Sequence, residues 1–515
     1  MTTAYDDPRR WWALAALGLA VLTLGFDITI MNVALPTIAT ELEVGTDALQ
    51  WMVNAYVLVI AGLMLTCGAL GDRYGRKRLL LIGLGLFGLS SAAAAVESAS
   101  LVIAARGVMG LGAAIMMPVA FAVLAALFGP AERGKAVSFL VMGLGIGIPL
   151  GPIIGGYLLE HFWWGSIFLI NVPIAIIGAI AIAVLLPESR DPAPRRPDVL
   201  GAVLSTAGLT SLVYGVIEAP GRGWSDPVTI GAISAGLVVL TGFVAWELRV
   251  RDPTIDLHLF TRPQFLWASI AGVLVTFGML GLLFVVPQYL QFVAGHDALG
   301  TGIRLLPLIG GLVVGAPAGE RLAARAGYKV PVSAGLAVLA AGVAIGALTD
   351  LQSSYGFVAA WLTTAGLGIG MALAPAMDAV LDALPTEQAG SGTAITMTLR
   401  QTGGALGVAL LGSLLAEGYT SRVNTAGLPA EAAAAARESI AGALAATTRL
   451  GDPALASSAH AAYLHGMSLV LIATAITAGL SALLTALLLP GKPTAGSDHD
   501  RRWPRQTTVP EAREG

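Results

Sequence analysis

The sequence predicts an all-α polytopic membrane protein of fourteen spans, and three observations carry that prediction. Of its 515 residues 56% are hydrophobic and only 12% charged, with a mean hydropathy of +0.78, more apolar surface than a soluble fold can hide. The apolar residues come in runs of about 20 or more, long enough to cross a bilayer as helices. Glycine occupies 64 positions, and small residues are what let membrane helices approach closely.

The first run, 11–36, follows Arg9 and Arg10 and is too long for a signal-peptide core, so it reads as a retained span. Spans follow at 48–71, 79–97, 100–128, 135–159 and 165–187, with short hairpins at the joins near 97 and 128. The Pro-, Arg- and Asp-rich stretch 188–198 reads as a cytoplasmic linker ahead of spans 198–218 and 227–247. Six more runs lie at 265–291, 299–322, 331–349, 355–383, 391–417 and 464–489. The outer segment 418–463 is polar and Ala-rich, with one short amphipathic helix expected around 429–447, and the tail 490–515 has the composition of a disordered segment.

With the N-terminus placed inside, 22 of the 29 Lys and Arg residues fall in inner segments and 4 in outer ones, which sets both termini in the cytoplasm. The inner turn Leu70, Gly71, Asp72, Arg73, Tyr74, Gly75, Arg76, Lys77 is echoed by Leu322, Ala323, Ala324, Arg325, Ala326, Gly327, Tyr328, Lys329. Likewise Pro130 to Gly134 is echoed by Pro385 to Gly390. These echoes predict two matching six-helix bundles with two helices inserted between them, a transporter signature. The corresponding units are 1–187, a linker and inserted pair at 188–264, 265–489, and the tail 490–515.

Asp27 sits deep in span 1, where an ionised carboxylate needs a partner or a proton. It is 15 residues past Trp12, roughly 22 Å in, while Arg106 on the oppositely running span 4 is roughly 21 Å from the inside. The depths coincide, so Arg106 is expected either to hold Asp27 ionised in one conformation and release it to take a proton in another, or to form a permanent buried pair with it. Span 5 carries Gly143, Gly147, Gly151 and Gly155 four residues apart, with Pro149 and Pro152 between them. That spacing strips one helical face for backbone packing, and the prolines bend the axis. Asn32, Asn54, Tyr56, Gln288 and Gln291 are polar within spans and either line a substrate cavity or bond between helices. Asp378 and Asp382 share a face near the inner end of span 12 and either attract a cation or solvate a helix end. Arg400, roughly 14 Å into span 13, is a candidate partner for Asp378.

Other chemistries find little support. The single cysteine, Cys67, excludes a disulfide framework and a cysteine metal site. Gly129, Gly134 and Lys135 match phosphate-loop spacing, but Ala136 stands where Ser or Thr is required; Gly83, Gly85 and Gly88 match a dinucleotide fingerprint inside a membrane helix. The six histidines have no zinc-ligand spacing.

Several stretches, in order, resemble the major facilitator superfamily. Gly68, Leu70, Asp72, Arg73, Gly75, Arg76 and Lys77 are similar to its loop signature, and Arg106, Gly110, Gly112 and Ala114 to its fourth-helix signature. Gly147, Gly151, Pro152, Gly155 and Gly156 are similar to the signature of its antiporters. Asp27 to Pro36 resembles the first helix of its fourteen-span drug:proton antiporter branch, and Trp51 to Leu58, Phe168 to Pro173, Gly223 to Trp224, Val286 to Gln291, Gly302 to Pro307 and Arg400 to Gly407 are similar to other stretches of that branch. Two departures are Met109, where Gln is usual, and Trp164, Gly165, Ser166, where Trp-Arg-Trp is expected. The resemblance implies proton coupling by Asp27 and Arg106, an inner charge latch of Asp72, Arg73 and Arg76, and closure controlled by the span 5 stripe. It implies proton-coupled efflux of hydrophobic, cationic drugs or dyes, with Asp378 attracting the cation. No cofactor beyond the proton gradient, no enzyme activity and no nucleic acid are expected, and the chain is expected to act as a monomer in the inner cell membrane. A narrow exporter of one metabolite or antibiotic is the alternative; a channel or membrane-embedded enzyme is less supported.

Overall fold

The computed structural model describes residues 9–96, 98–128, 130–190, 198–250, 253, 257–384 and 389–490. Most of the expected linker (191–197), the repeat turn 385–388 and the tail beyond 490 lie outside the described residues. The first bundle is built from α1 (Arg9–Glu41), α2 (Thr46–Tyr74), α3 (Arg76–Ala94), α4 (Ala99–Leu127), α5 (Pro130–His161), the four-residue α6 (Ser166–Leu169) and α7 (Asn171–Leu185). Two helices follow, α8 (Val199–Arg222) and α9 (Pro227–Glu247). The second bundle comprises α10 (Pro263–Gln288), α11 (Ala298–Arg304), α12 (Leu306–Ala326), α13 (Lys329–Gly346), α14 (Tyr355–Asp382), α15 (Ala389–Thr420) and α18 (Pro453–Leu488), with α16 (Ala430–Glu438) and α17 (Ile440–Leu450) between the last two. Twelve spans are long and apolar enough to cross a membrane among the described residues; α5 and α15, 32 residues each, make fourteen.

Helix starts follow local chemistry. Asp226 and Asp452 cap α9 and α18 and are each followed by proline, whose missing N–H costs nothing at that position. Asp198, Asp297 and Ser354 cap α8, α11 and α14 in the same way. The tenth span is broken into α11 and α12 at Leu305, and Pro307, in the first turn of α12, has no N–H to continue the ladder from α11. The segment expected to hold one amphipathic helix holds two. Ser439 is extended (φ −161°, ψ 160°) and its side chain accepts the Gly442 N–H, ending α16 and starting α17. The last helix begins at Pro453, well before the apolar run expected from 464, because its capped first turns carry good helix formers although they are too polar to register as membrane-spanning.

The packing repeats with the sequence. In the first bundle α1 packs on α5, α2 on α4, α3 on α4 and α3 on α7; in the second, α10 packs on α15, α12 on α14, α13 on α14 and α13 on α18. The inserted α8 and α9 pack on each other, and α8 lies against both α2 and α15, at the join between bundles. The echoed turns match in geometry as well. Gly75 (φ 117°) and Gly327 (φ 74°) occupy the same repeat position, and each closes its helix by donating to the carbonyl four residues back, Gly71 and Ala323. Positive φ there suits glycine alone among common residues.

We call the end holding Arg9 proximal and the opposite end distal. At the distal end the bundles meet, among other places, through three contacts. α5 lies on α11 backbone to backbone: a Cβ on Gly156 would fall 2.6 Å from the Leu299 Cα, and one on Gly302 would fall 2.1 Å from the Pro152 carbonyl oxygen. Gln50 on α2 reaches the Val408 and Ala409 carbonyls of α15 at 3.5 Å, across Gly412. Gln291 donates to the Val33 carbonyl of α1 at 2.9 Å.

Candidate translocation site

Asp27 and Arg106 meet in the core of the first bundle, each only 1% exposed. Arg106 Nη1 lies 2.6 Å from Asp27 Oδ2. Its Nε donates to the Met52 carbonyl on α2 at 3.1 Å, and its guanidinium carbon sits 4.2 Å from the centre of the Tyr56 ring. A buried arginine is thus satisfied by a charge, a carbonyl and an aromatic face, each from a different point on α1 or α2. The other carboxylate oxygen, Oδ1, receives Asn171 Nδ2 of α7 at 3.5 Å. Asn171 also donates to Ser91 Oγ on α3 at 3.1 Å, and Ser91 donates to the Phe168 carbonyl at 2.8 Å. The first-helix acid therefore touches groups from α2, α3, α4 and α7 directly or through one residue. Sequence reasoning missed Asn171 and Ser91. Asn171 had a signal: it is an amide inside an apolar run, within the family-like stretch Phe168 to Pro173.

The α5 stripe faces α1. A Cβ on Gly147 would fall 2.6 Å from the Leu22 carbonyl oxygen, on Gly151 2.0 Å from Thr29 Oγ1, and on Gly155 2.5 Å from Ile30 Cγ1. Gly143 lies on the same helix, and Pro152 and Gly156 turn to α11 instead. One helix therefore contacts the proton-carrying candidate's helix on one side and the distal seam on the other.

Of the polar residues read as cavity candidates, Asn54 is buried with both amide atoms unpartnered among the described residues, and so is the Tyr56 hydroxyl. Asn32 donates to the Ile28 carbonyl of its own helix at 2.7 Å and leaves its oxygen unpartnered. Buried polar atoms are nearly always satisfied; these are sealed and unsatisfied in this conformation, so a transported molecule or water could reach them only in another. Gln288 bonds back to the Phe284 carbonyl at 2.8 Å, and Gln291 is committed to the distal seam.

At the proximal end Asp72 pairs with Arg76 (2.8 Å) within the same bundle, and Arg73 lies over Tyr74. Glu188 accepts the Lys77 and Arg78 backbone N–H groups at 3.1 and 3.3 Å, holding the turn to the end of the sixth span. Asp382 accepts the Tyr328 hydroxyl; burial and that carboxylate raise the phenol well above its ordinary value. Arg400 is not paired with Asp378. Asp378 is four residues from the proximal end of α14, about 6 Å, whereas Arg400 is eleven from that of α15, about 16 Å, so the depths differ by about 10 Å. Arg400 Nε donates instead to Thr276 Oγ1 on α10 at 3.2 Å.

The comparisons with known proteins agree with this architecture. A family model described as Major Facilitator Superfamily matches residues 17–408. The chain belongs to that superfamily. It is therefore a multi-pass membrane transporter rather than an enzyme. The chain is 32% identical over 520 residues to a tetracenomycin C resistance and export protein of Streptomyces glaucescens, covering 98% of this chain and 96% of that one. It is 34% identical over 497 residues to the multidrug efflux pump LfrA of Mycolicibacterium smegmatis, covering 95% and 97%. Among solved structures, a bacterial homologue of the human lysosomal transporter Spinster in an inward-facing conformation aligns with a TM-score of 0.67 at 18% identity, covering 94% of this chain and 98% of that one, a likeness of fold.

Proposed function

We propose that the chain exports hydrophobic, cationic small molecules in exchange for protons by alternating access. The Asp27–Arg106 pair carries the reading. A buried acid held by a salt bridge from another helix can take a proton when the helices part and give it up when they return. That it belongs to a superfamily of transporters, and is similar to proteins named for drug resistance and export, supplies the direction.

In this reading the proximal end is cytoplasmic, following the Lys and Arg bias, and the protein lies in the inner cell membrane with both termini inside. The units 1–187 and 265–489 rock against each other, with 188–264 filling the join. Asp72, Arg73 and Arg76 latch the inner side, and Gly147, Gly151, Pro152, Gly155 and Gly156 set how closely the outer side shuts. Asn32, Asn54, Tyr56 and Gln288 contact substrate, and Asp378 attracts a cation from the cytoplasm. A narrower antibiotic exporter is favoured by one observation, the near end-to-end match to a tetracenomycin C export protein.

The test is dye uptake into inverted vesicles, whose outward-facing cytoplasmic side turns export into accumulation, with and without an imposed proton gradient, for the wild type and Asp27→Asn. Gradient-driven export in the wild type and its loss in the variant are expected. Export by both with the gradient collapsed would sink the coupling role.

A further inference from the structure

We propose that Arg400 is a binding site for an anionic oxygen group of the transported molecule, a carboxylate or an ionised phenol or enol. This rests on the efflux reading for its setting but not for its chemistry. The two bundles each carry an arginine at depth, and the two are not alike. Arg106 is neutralised by Asp27. Arg400 makes one bond, from Nε to a neutral hydroxyl, Thr276 Oγ1, and among the described residues no carboxylate lies within ion-pair distance of it.

The surroundings offer no substitute. α10, against which the arginine stem lies at Gly272, has no charged residue along its length, and α18 has no acid or Lys or Arg. On α15 itself the other charge is Glu417, seventeen residues on and about 25 Å away along the axis, where it accepts the Trp224 indole N–H. Asp378 is about 10 Å nearer the proximal end, and Asp382 beyond it is held by Tyr328. A fixed cation in a low-dielectric interior is costly unless a counter-charge arrives.

Arg400 is also open to an arriving group. With Nε used, its two terminal nitrogens have no partner among the described residues, yet they are not among the sealed polar atoms of the core, as Asn54 and Tyr56 are. The side chain is half-buried rather than closed over. Those terminal nitrogens present parallel N–H donors, the fork that matches a carboxylate or phenolate oxygen. Thr276, fully buried and bonded to the Gly272 carbonyl, fixes the direction in which the fork points. The site would sort substrates by the opposite charge from that attracted by Asp378, so that a molecule with an acidic oxygen and an apolar body is held at mid-depth.

The experiment is equilibrium binding to the purified full-length protein in detergent, with no gradient, read by fluorescence anisotropy of an anionic dye, fluorescein, and a cationic one, ethidium. Arg400→Gln should weaken fluorescein binding about tenfold or more, the loss expected of a charge-assisted hydrogen bond, while ethidium binding stays as in the wild type. Arg400→Lys should recover part of the fluorescein affinity. Equal loss for both dyes, or fluorescein affinity no different between wild type and Arg400→Gln, would overturn the assignment. Should Arg400→Gln fail to fold, Thr276→Val keeps the cation but frees its fork, and must selectively weaken fluorescein for the proposal to stand. Because no transport is measured, selective binding without gradient-driven efflux would defeat the coupling reading and leave this site intact.

Discussion

Replacing Gly156 by alanine tests whether the distal seam sets the balance between conformations. The added methyl would fall 2.6 Å from the Leu299 Cα, 2.8 Å from the Ala298 carbonyl oxygen and 2.9 Å from the Leu299 nitrogen, whereas ordinary contact begins at 3.4 Å. The obstacle is backbone, so no side chain can swing aside, and α5 and α11 must separate by at least 0.8 Å. Overpacking of this kind costs about 1–3 kcal/mol. Because these atoms belong to opposite bundles, the cost falls on the closed seam and not on either bundle's own packing, so it acts as a bias between states. About 1–3 kcal/mol corresponds to about a 5- to 150-fold change in the ratio of closed to parted seams. The assay is electron–electron distance measurement between spin labels placed at exposed positions near the distal ends of α5 and α11, with buried Cys67 replaced by serine. The parted population should grow at unchanged melting temperature. An unaltered distance distribution, or a large fall in melting temperature with no redistribution, would refute the assignment of Gly156 to the seam.

Asp27→Asn should lower thermal stability by about 3–5 kcal/mol, because Arg106 is left as an unpaired buried charge, and Asp27→Asn with Arg106→Gln should recover most of it in thermal unfolding. A double variant as unstable as the sum of the singles would show that the pair's charges are not coupled. On the distal loop, burial and the Asp47 carboxylate raise the Glu438 carboxyl above its ordinary value. The protonated form is thus favoured in the docked loop: its stabilisation is full below the free carboxylate value of about 4.3 and is lost as pH rises through the raised value. Hydrogen-exchange protection of α16 and α17, corrected for intrinsic rates, should therefore fall with rising pH in the wild type and stay level in Glu438→Gln; parallel curves would reject the docking role of that carboxyl.

The order of the spans was legible because hydrophobic length is a one-dimensional property, and so was the repeat, since Gly75 and Gly327 have the same backbone requirement. Helix rise alone put Asp27 and Arg106 at one depth, and the structure joins them at 2.6 Å. Depth is not azimuth, however, and that is why other readings needed coordinates. Asn171 and Ser91 lie on helices whose rotation about their axes no hydropathy run reports. Gln291 has the same composition-level signature as Gln288, yet one spans the join between bundles and the other bonds within its own helix. Arg400 and Asp378 failed as partners on the very measure that succeeded for the first pair, since their depths differ by about 10 Å. The polar distal segment carried too weak a periodicity to separate one helix from two, and the break rests on a single serine cap.

The chain at Tyr289–Val293 winds as a π-turn, with Ala294 N–H bonded to the Tyr289 carbonyl five residues back. One residue is stored there that an α-helix of the same reach would not hold, and Gln291 sits inside it. Rewinding that turn to α geometry would rotate the downstream chain by about 100° and advance it by about 1.5 Å, carrying the Gln291 amide off Val33 in the same movement. Were the turn to rewind in that way, the ninth span would lose its hydrogen bond to the neighbouring bundle while its own helix stayed continuous.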